Sequence, residues 1–172
     1  MRRLPLRAYV EAGALIALSA VLSMVKIFRM PQGGSITAAS MIPVLLIGLR
    51  WGAGLGISGG IAYGIVRHLM GGWFIHPVQW LLDYPIAFGA LGLSGLFRKH
   101  PLLGVTVGIG GRFLAHLAAG AVFYASSAPP GQSPWVFSAI YNATYLLPEL
   151  AISVFVAWLL SRTQVLRNLK TQ

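Results

Sequence analysis

Cysteine is absent from the 172-residue chain, and its acidic side chains number only three, Glu11, Asp83 and Glu149. The first absence excludes disulfides and thiolate metal sites, so redox chemistry says nothing about the compartment. The second belongs to a wider shortage. Charged residues make up 9% of the chain against 56% hydrophobic, far from the roughly one-quarter charged balance of a soluble domain. Lipid is therefore the expected solvent. Also missing are a Gly-rich phosphate loop, a cluster of metal ligands and any polar stretch sized for a soluble catalytic domain, so no catalytic, cofactor or metal site is expected. A net charge of +10 would suit nucleic acid. The basic residues, however, stand at the ends of apolar runs and form no continuous face, so no nucleic-acid partner is expected.

What is present is a series of apolar runs. About 20 residues of helix cross a hydrocarbon core of ~30 Å. Residues 8–28, 52–70, 77–97, 102–125 and 135–161 meet that length. Residues 36–49 form a shorter run reaching only ~20 Å, which implies a tilted or partly embedded helix. The runs are apolar throughout and do not alternate, which favours helices over a β-barrel. The expectation is an all-α integral membrane bundle of six transmembrane helices in a single transmembrane domain, 1–172, with the first run retained and not cleaved as a signal peptide. Arg2, Arg3, Arg7, Arg50, Arg98, Lys99, Arg162, Arg167 and Lys170 fall on one side, against Lys26, Arg29 and Arg67 on the other. Both termini are then cytoplasmic, and the connections 30–35, 71–76 and 126–134 are external.

An ionisable group inside the bilayer costs about 2.5–3.5 kcal/mol at the centre, so each one asks for a reason. Asp83 falls in the outer half of helix four, with Trp80 on its face. Arg112, His116, Gly120 and Tyr124 recur every four residues along helix five, and Ser138, Asn142, Tyr145 and Glu149 form a stripe on helix six. These stripes meet at one depth, below a loop carrying Trp73 and His76. A carboxylate among aromatic faces suits an organic cation, and His116 and Asn142 can orient a heteroaromatic ring. The competing reading is that the same groups bond one another and glue the helices together. Arg112 and Glu149 reach matching depths by helical rise, which predicts a structural salt bridge below the site. Gly56-Ile57-Ser58-Gly59 with His116 resembles the serine and histidine motifs of intramembrane proteases. Their depths differ by ~12 Å, too far for the histidine to activate the serine, so Ser58 and its glycines read as a helix-packing surface.

These residues carry a resemblance. Met30-Pro31-Gln32-Gly33-Gly34-Ser35, Met41-Ile42-Pro43, the stretch from His76 through Asp83-Tyr84-Pro85, the runs Gly95 to Arg98 and His116 to Gly120, and Tyr141 to Glu149 together resemble the thiamine-specific substrate-binding S components of energy-coupling factor (ECF) vitamin transporters. The resemblance covers nearly the whole chain. It implies a six-helix subunit of the bacterial cell membrane that captures thiamine from outside and has no ATPase of its own. Asp83, Tyr84, His116, Asn142 and Trp73 match the family's ligand positions, the loop around Gln32 to Ser35 resembles its lid, and Tyr145, Tyr124 and Gly120 join the site from the stripes on helices six and five. Some members carry Glu at Asp83, Trp at Tyr124 and at Gly34, and Tyr at Phe137. The family docks a transmembrane coupling subunit, driven by two cytoplasmic ATPases, on a small-residue face of helix one. Gly13 and Ala17 fit that spacing; Val21 is larger than the third residue expected. The alternative ligand is another heterocyclic vitamin or a precursor or phosphate ester of thiamine.

Overall fold

The computed structural model describes residues 4–31 and 33–163. Its helices are α1 (Leu6–Met24), α2 (Ile42–Trp51), α3 (Ala53–Leu69), α4 (Pro77–Phe97), α5 (Pro101–Phe123) and α6 (Pro134–Ser161). Between α1 and α2 lies an antiparallel hairpin of β1 (Lys26–Arg29) and β2 (Ser35–Thr37). The fold is the all-α membrane bundle that the apolar runs imply. Among the described residues four helices, α1, α4, α5 and α6, are long and apolar enough to cross a bilayer.

The hairpin was not anticipated, because residues 25–28 and 36–41 read as continuations of apolar helices. Val25 instead leaves α1 in extended conformation. Ile36 and Thr37, β-branched residues that favour a pleated, half-buried surface, pair Ile36 with Phe28 and Thr37 with Lys26. Pro43 in the first turn then opens α2.

At 10 residues α2 is about 15 Å long and cannot cross the bilayer by itself. It is apolar on every side, as a helix enclosed by others is, and Val44, Leu45, Ile47 and Leu49 are fully buried. Side chains of α4 bond its carbonyls: Ser94 donates to Leu45 O within the helix at 2.9 Å, and Arg98 covers the C-terminal Leu49 O at 3.2 Å and Arg50 O at 2.9 Å.

Helices α3 and α4 touch backbone to backbone. Gly56, Gly60 and Gly64, one per turn, face Gly92, Phe88 and Tyr84, and a methyl group at any of the three glycines would collide with the α4 main chain. Ser58 does not belong to that face as expected. It is exposed, and its hydroxyl bonds Gly54 O and Leu55 O of its own helix at 3.1 Å each. In α4 the regular ladder is interrupted at Leu82–Ile86 by a π-helical turn around Pro85, whose missing N–H cannot continue it. That widened turn carries Asp83 and Tyr84.

Candidate functional site

A cavity of about 430 Å³ opens beneath the hairpin, within the range of small-molecule sites. Asp83, Tyr84 and Phe88 enter it from α4; Arg112, His116 and Gly120 from α5, with Tyr124 just past its end; Phe137, Ser138, Tyr141, Asn142 and Tyr145 from α6. Ser35 of β2 and Trp73 of the turn before α4 also line it. Of the ten residues that the sequence assigns to ligand, nine therefore surround one space, and Gln32 lies outside the described residues. The three helical stripes converge because Gly120 has no side chain. A methyl there would collide with the Ser138 hydroxyl, so α5 and α6 meet at that level.

Asp83 is held from two sides. Gln79 Nε2, one turn back on α4, donates to its Oδ2 at 2.7 Å, and His116 Nδ1 lies 2.9 Å from its Oδ1. The two side chains are largely covered, at 16% and 12% exposure, yet both border the cavity. Tyr145 Oη donates to Asn142 Oδ1 at 2.6 Å, while Asn142 Nδ2 donates to Ser138 O at 2.9 Å. The amide orientation of Asn142 is thereby set. The Tyr84 hydroxyl accepts the Trp73 backbone N–H at 2.7 Å, which pins the loop over the cavity to its wall.

The hairpin is fastened to α6 at two points. The Gly34 backbone N–H donates to Tyr141 Oη at 3.0 Å, and the residue sits so close to the Tyr145 ring that no side chain fits. Deeper, the Thr37 N–H and hydroxyl both donate to Glu149 Oε1, at 2.5 and 2.6 Å.

That second anchor replaces the expected ion pair. Arg112 and Glu149 make no salt bridge: helical rise put them at matching depths, but Thr37 of the unforeseen hairpin takes the carboxylate. Arg112 turns toward the cavity, donating from Nε to His116 Nε2 at 3.2 Å with its guanidinium 4.3 Å from the centre of the Phe88 ring. Trp80 also leaves the site and packs edge-on against His68 at 5.9 Å. His76 caps α4 through Val78 N and stacks on Phe123. Gly13 and Ala17 are exposed on α1, and a methyl at Gly13 would meet no other residue.

Sequence reasoning missed Gln79, although its four-residue spacing from Asp83 was a usable signal. It also missed Phe88 and Tyr141, and the cations Lys26, Arg29 and Arg67, which border the cavity. Their grouping depends on the hairpin fold and leaves no local trace. Burial, then the nearby charges of Arg29 and Arg67, hold the Lys26 ammonium below the usual lysine value.

Comparison with known proteins gives the family and the fold. The family described as thiamine transporter protein matches residues 9–168. The thiamine transporter ThiT of Bacillus subtilis (strain 168) is 39% identical over 173 residues, covering 90% of each chain. ThiT of Lacticaseibacillus paracasei is 31% identical over 140 residues, covering 70% of each. A solved structure of ThiT from Listeria monocytogenes superposes with a TM-score of 0.83 over 96% of this chain and 97% of that one, at 24% identity.

Proposed function

This chain belongs to the thiamine transporter protein family, and from that premise we propose that it is the thiamine-binding S component of an ECF-type vitamin uptake system, holding thiamine in the cavity beneath the hairpin. It is a multi-pass membrane protein and a transporter subunit, not an enzyme. The observation that carries the reading is the Asp83 carboxylate, set inside a cavity walled by Tyr84, Tyr124, Tyr141, Tyr145 and Trp73. A thiazolium is a permanent, delocalised cation. Aromatic faces attract it through their quadrupole, and a partly desolvated carboxylate balances its charge. Tyr84, Tyr145 and Trp73 enclose the rings, and Asn142 and His116 supply directional polar contacts for the aminopyrimidine. The 3.0 Å bond from Gly34 to Tyr141 holds the hairpin as a cover.

Among the described residues Arg7, Arg50, Arg98, Lys99 and Arg162 stand at helix ends and none borders the cavity, so by the positive-inside rule both termini are cytoplasmic and the site opens outward, in the bacterial cell membrane. The exposed Gly13 and Ala17 face of α1 docks the transmembrane coupling subunit, and two cytoplasmic ATPases of that module supply the energy. Titrating purified protein with thiamine gives saturable quenching of tryptophan fluorescence through Trp73. Unchanged fluorescence together with no heat of binding would rule the reading out.

One observation favours a second ligand form. Lys26, Arg29 and Arg67 border the cavity and repel one another, so an anion among them is welcome. A phosphate ester of thiamine would put its ring cation at Asp83 and its phosphate at these cations. Competition between thiamine and its esters, with and without an Arg67→Gln change, separates the two forms.

A further inference from the structure

A line of hydrogen bonds crosses the cavity wall. The Ile75 backbone N–H donates to Gln79 Oε1 at 3.0 Å, Gln79 Nε2 donates to Asp83 Oδ2 at 2.7 Å, Asp83 Oδ1 stands 2.9 Å from His116 Nδ1, and Arg112 Nε donates to His116 Nε2 at 3.2 Å. Both ends of the line are obligate donors. A peptide N–H and a guanidinium never accept, and the guanidinium does not lose its charge. Every link between them therefore has one direction. Gln79 turns its oxygen to Ile75, so its amide hydrogens face Asp83. Arg112 occupies the lone pair on His116 Nε2, so the neutral imidazole carries its hydrogen on Nδ1 and gives it to Asp83.

We propose that Arg112 is a positioning residue for the cation site, acting through His116: it holds the imidazole neutral in the Nδ1–H form and thereby keeps Asp83 an unneutralised carboxylate where histidines ordinarily become charged. The proposal rests on the reading of the cavity as a thiamine site. An imidazolium would need a hydrogen on Nε2, aimed at an arginine that can only donate. It would also form an internal ion pair with Asp83 and repel the incoming thiazolium. Arg112 is kept in place by its contact with Phe88, and the Glu149 carboxylate, the acid that acts on it from α6, is taken by the Thr37 N–H and hydroxyl and makes no salt bridge with it. The groups facing His116 from the other elements do not replace this control. Asp83 and Tyr84 come from α4, Tyr124 from just past α5 beside Asp83, Tyr141 and Tyr145 from α6 with Glu149 acting on Arg112, Arg67 from α3, and Lys26 and Arg29 from the hairpin. The Tyr145 ring is edge-on at 6.4 Å and its hydroxyl is given to Asn142.

Glutamine at position 112 is the discriminating change. It can donate to Nε2 as arginine does, but its amide can also flip and accept from a protonated ring. Thiamine affinity, measured by calorimetry from pH 8 to pH 6, is expected to stay within about twofold for the unaltered protein. For Arg112→Gln it falls about fourfold or more between pH 8 and pH 6 relative to its own pH 8 value, the factor that follows from a histidine value near 6.5. Arg112→Lys, again a charged donor, restores the flat profile. Nitrogen NMR of histidine-labelled protein without ligand shows His116 as a neutral Nδ1–H imidazole at pH 6 in the unaltered protein and as an imidazolium in Arg112→Gln. A loss that is the same at every pH, or an unaltered protein whose His116 carries its hydrogen on Nε2, overturns the proposal. Absence of any thiamine binding by the unaltered protein overturns the functional reading instead, and the ligand-free spectrum still decides the tautomer.

Discussion

Asp83 concentrates the chemistry of the site in one side chain. Its two oxygens accept from Gln79 and lie against His116, so the carboxylate is oriented before a ligand arrives. Asp83→Asn removes the charge while keeping size and one acceptor. Losing one partner of a largely desolvated charge pair costs about 2–5 kcal/mol, so thiamine affinity is expected to fall some tens- to thousands-fold in calorimetry, with the melting temperature little changed. Equal affinity in that variant would remove the counter-ion role. At Ser58 the opposite outcome is expected. Its hydroxyl bonds only its own helix, so Ser58→Ala leaves thiamine uptake by cells unchanged, and lost uptake would reopen the protease reading.

The elements are held together by two different devices. Between α3 and α4 it is the absence of side chains: the Gly92 position faces the Gly56 and Ile57 backbone, so Gly92→Ala must push two helices apart. Overpacking of this kind costs about 1–3 kcal/mol, visible as a lower melting temperature in detergent. Gly110→Ala on α5 is the control. A methyl there meets no other residue, and alanine favours helix by about 0.5–1 kcal/mol, so stability should hold or rise. Between the hairpin and α6 the device is polar. Glu149→Ala leaves two buried Thr37 donors without their acceptor, at about 1–3 kcal/mol, and should speed hydrogen exchange at the Thr37 amide, whereas Glu149→Gln retains most of the protection. Unchanged exchange in the alanine variant would show that β2 is anchored elsewhere.

At the scale of the whole molecule, the proposed docking face on α1 and the cavity do not overlap, so binding and uptake are expected to respond separately to mutation. A methyl at Gly13 would meet no other residue, so leucine there enlarges an exposed part of α1. Purified Gly13→Leu protein should bind thiamine as before, while cells carrying it should lose most uptake. Impaired binding would mean that the face serves the fold and not a partner.

The linear order of residues was enough for the lipid environment, the apolar runs and the stripes on α5 and α6, since a helical period of 3.6 turns spacing directly into a shared face. It also singled out Asp83, His116 and Asn142, which line the cavity, because polar groups are so scarce in these runs that each one stands out. Three-dimensional packing alone decided the partner of Glu149, the turning of Arg112 to His116 and the gathering of Lys26, Arg29 and Arg67 at the cavity. The cause is the hairpin. Its short β-branched stretch, Ser35–Thr37, lies between apolar helices and looks like more helix until pairing with β1 and two hydrogen bonds to Glu149 hold it extended. Contacts between segments more than a hundred residues apart are settled by which buried donors find acceptors once the chain is compact, and no local periodicity encodes that choice.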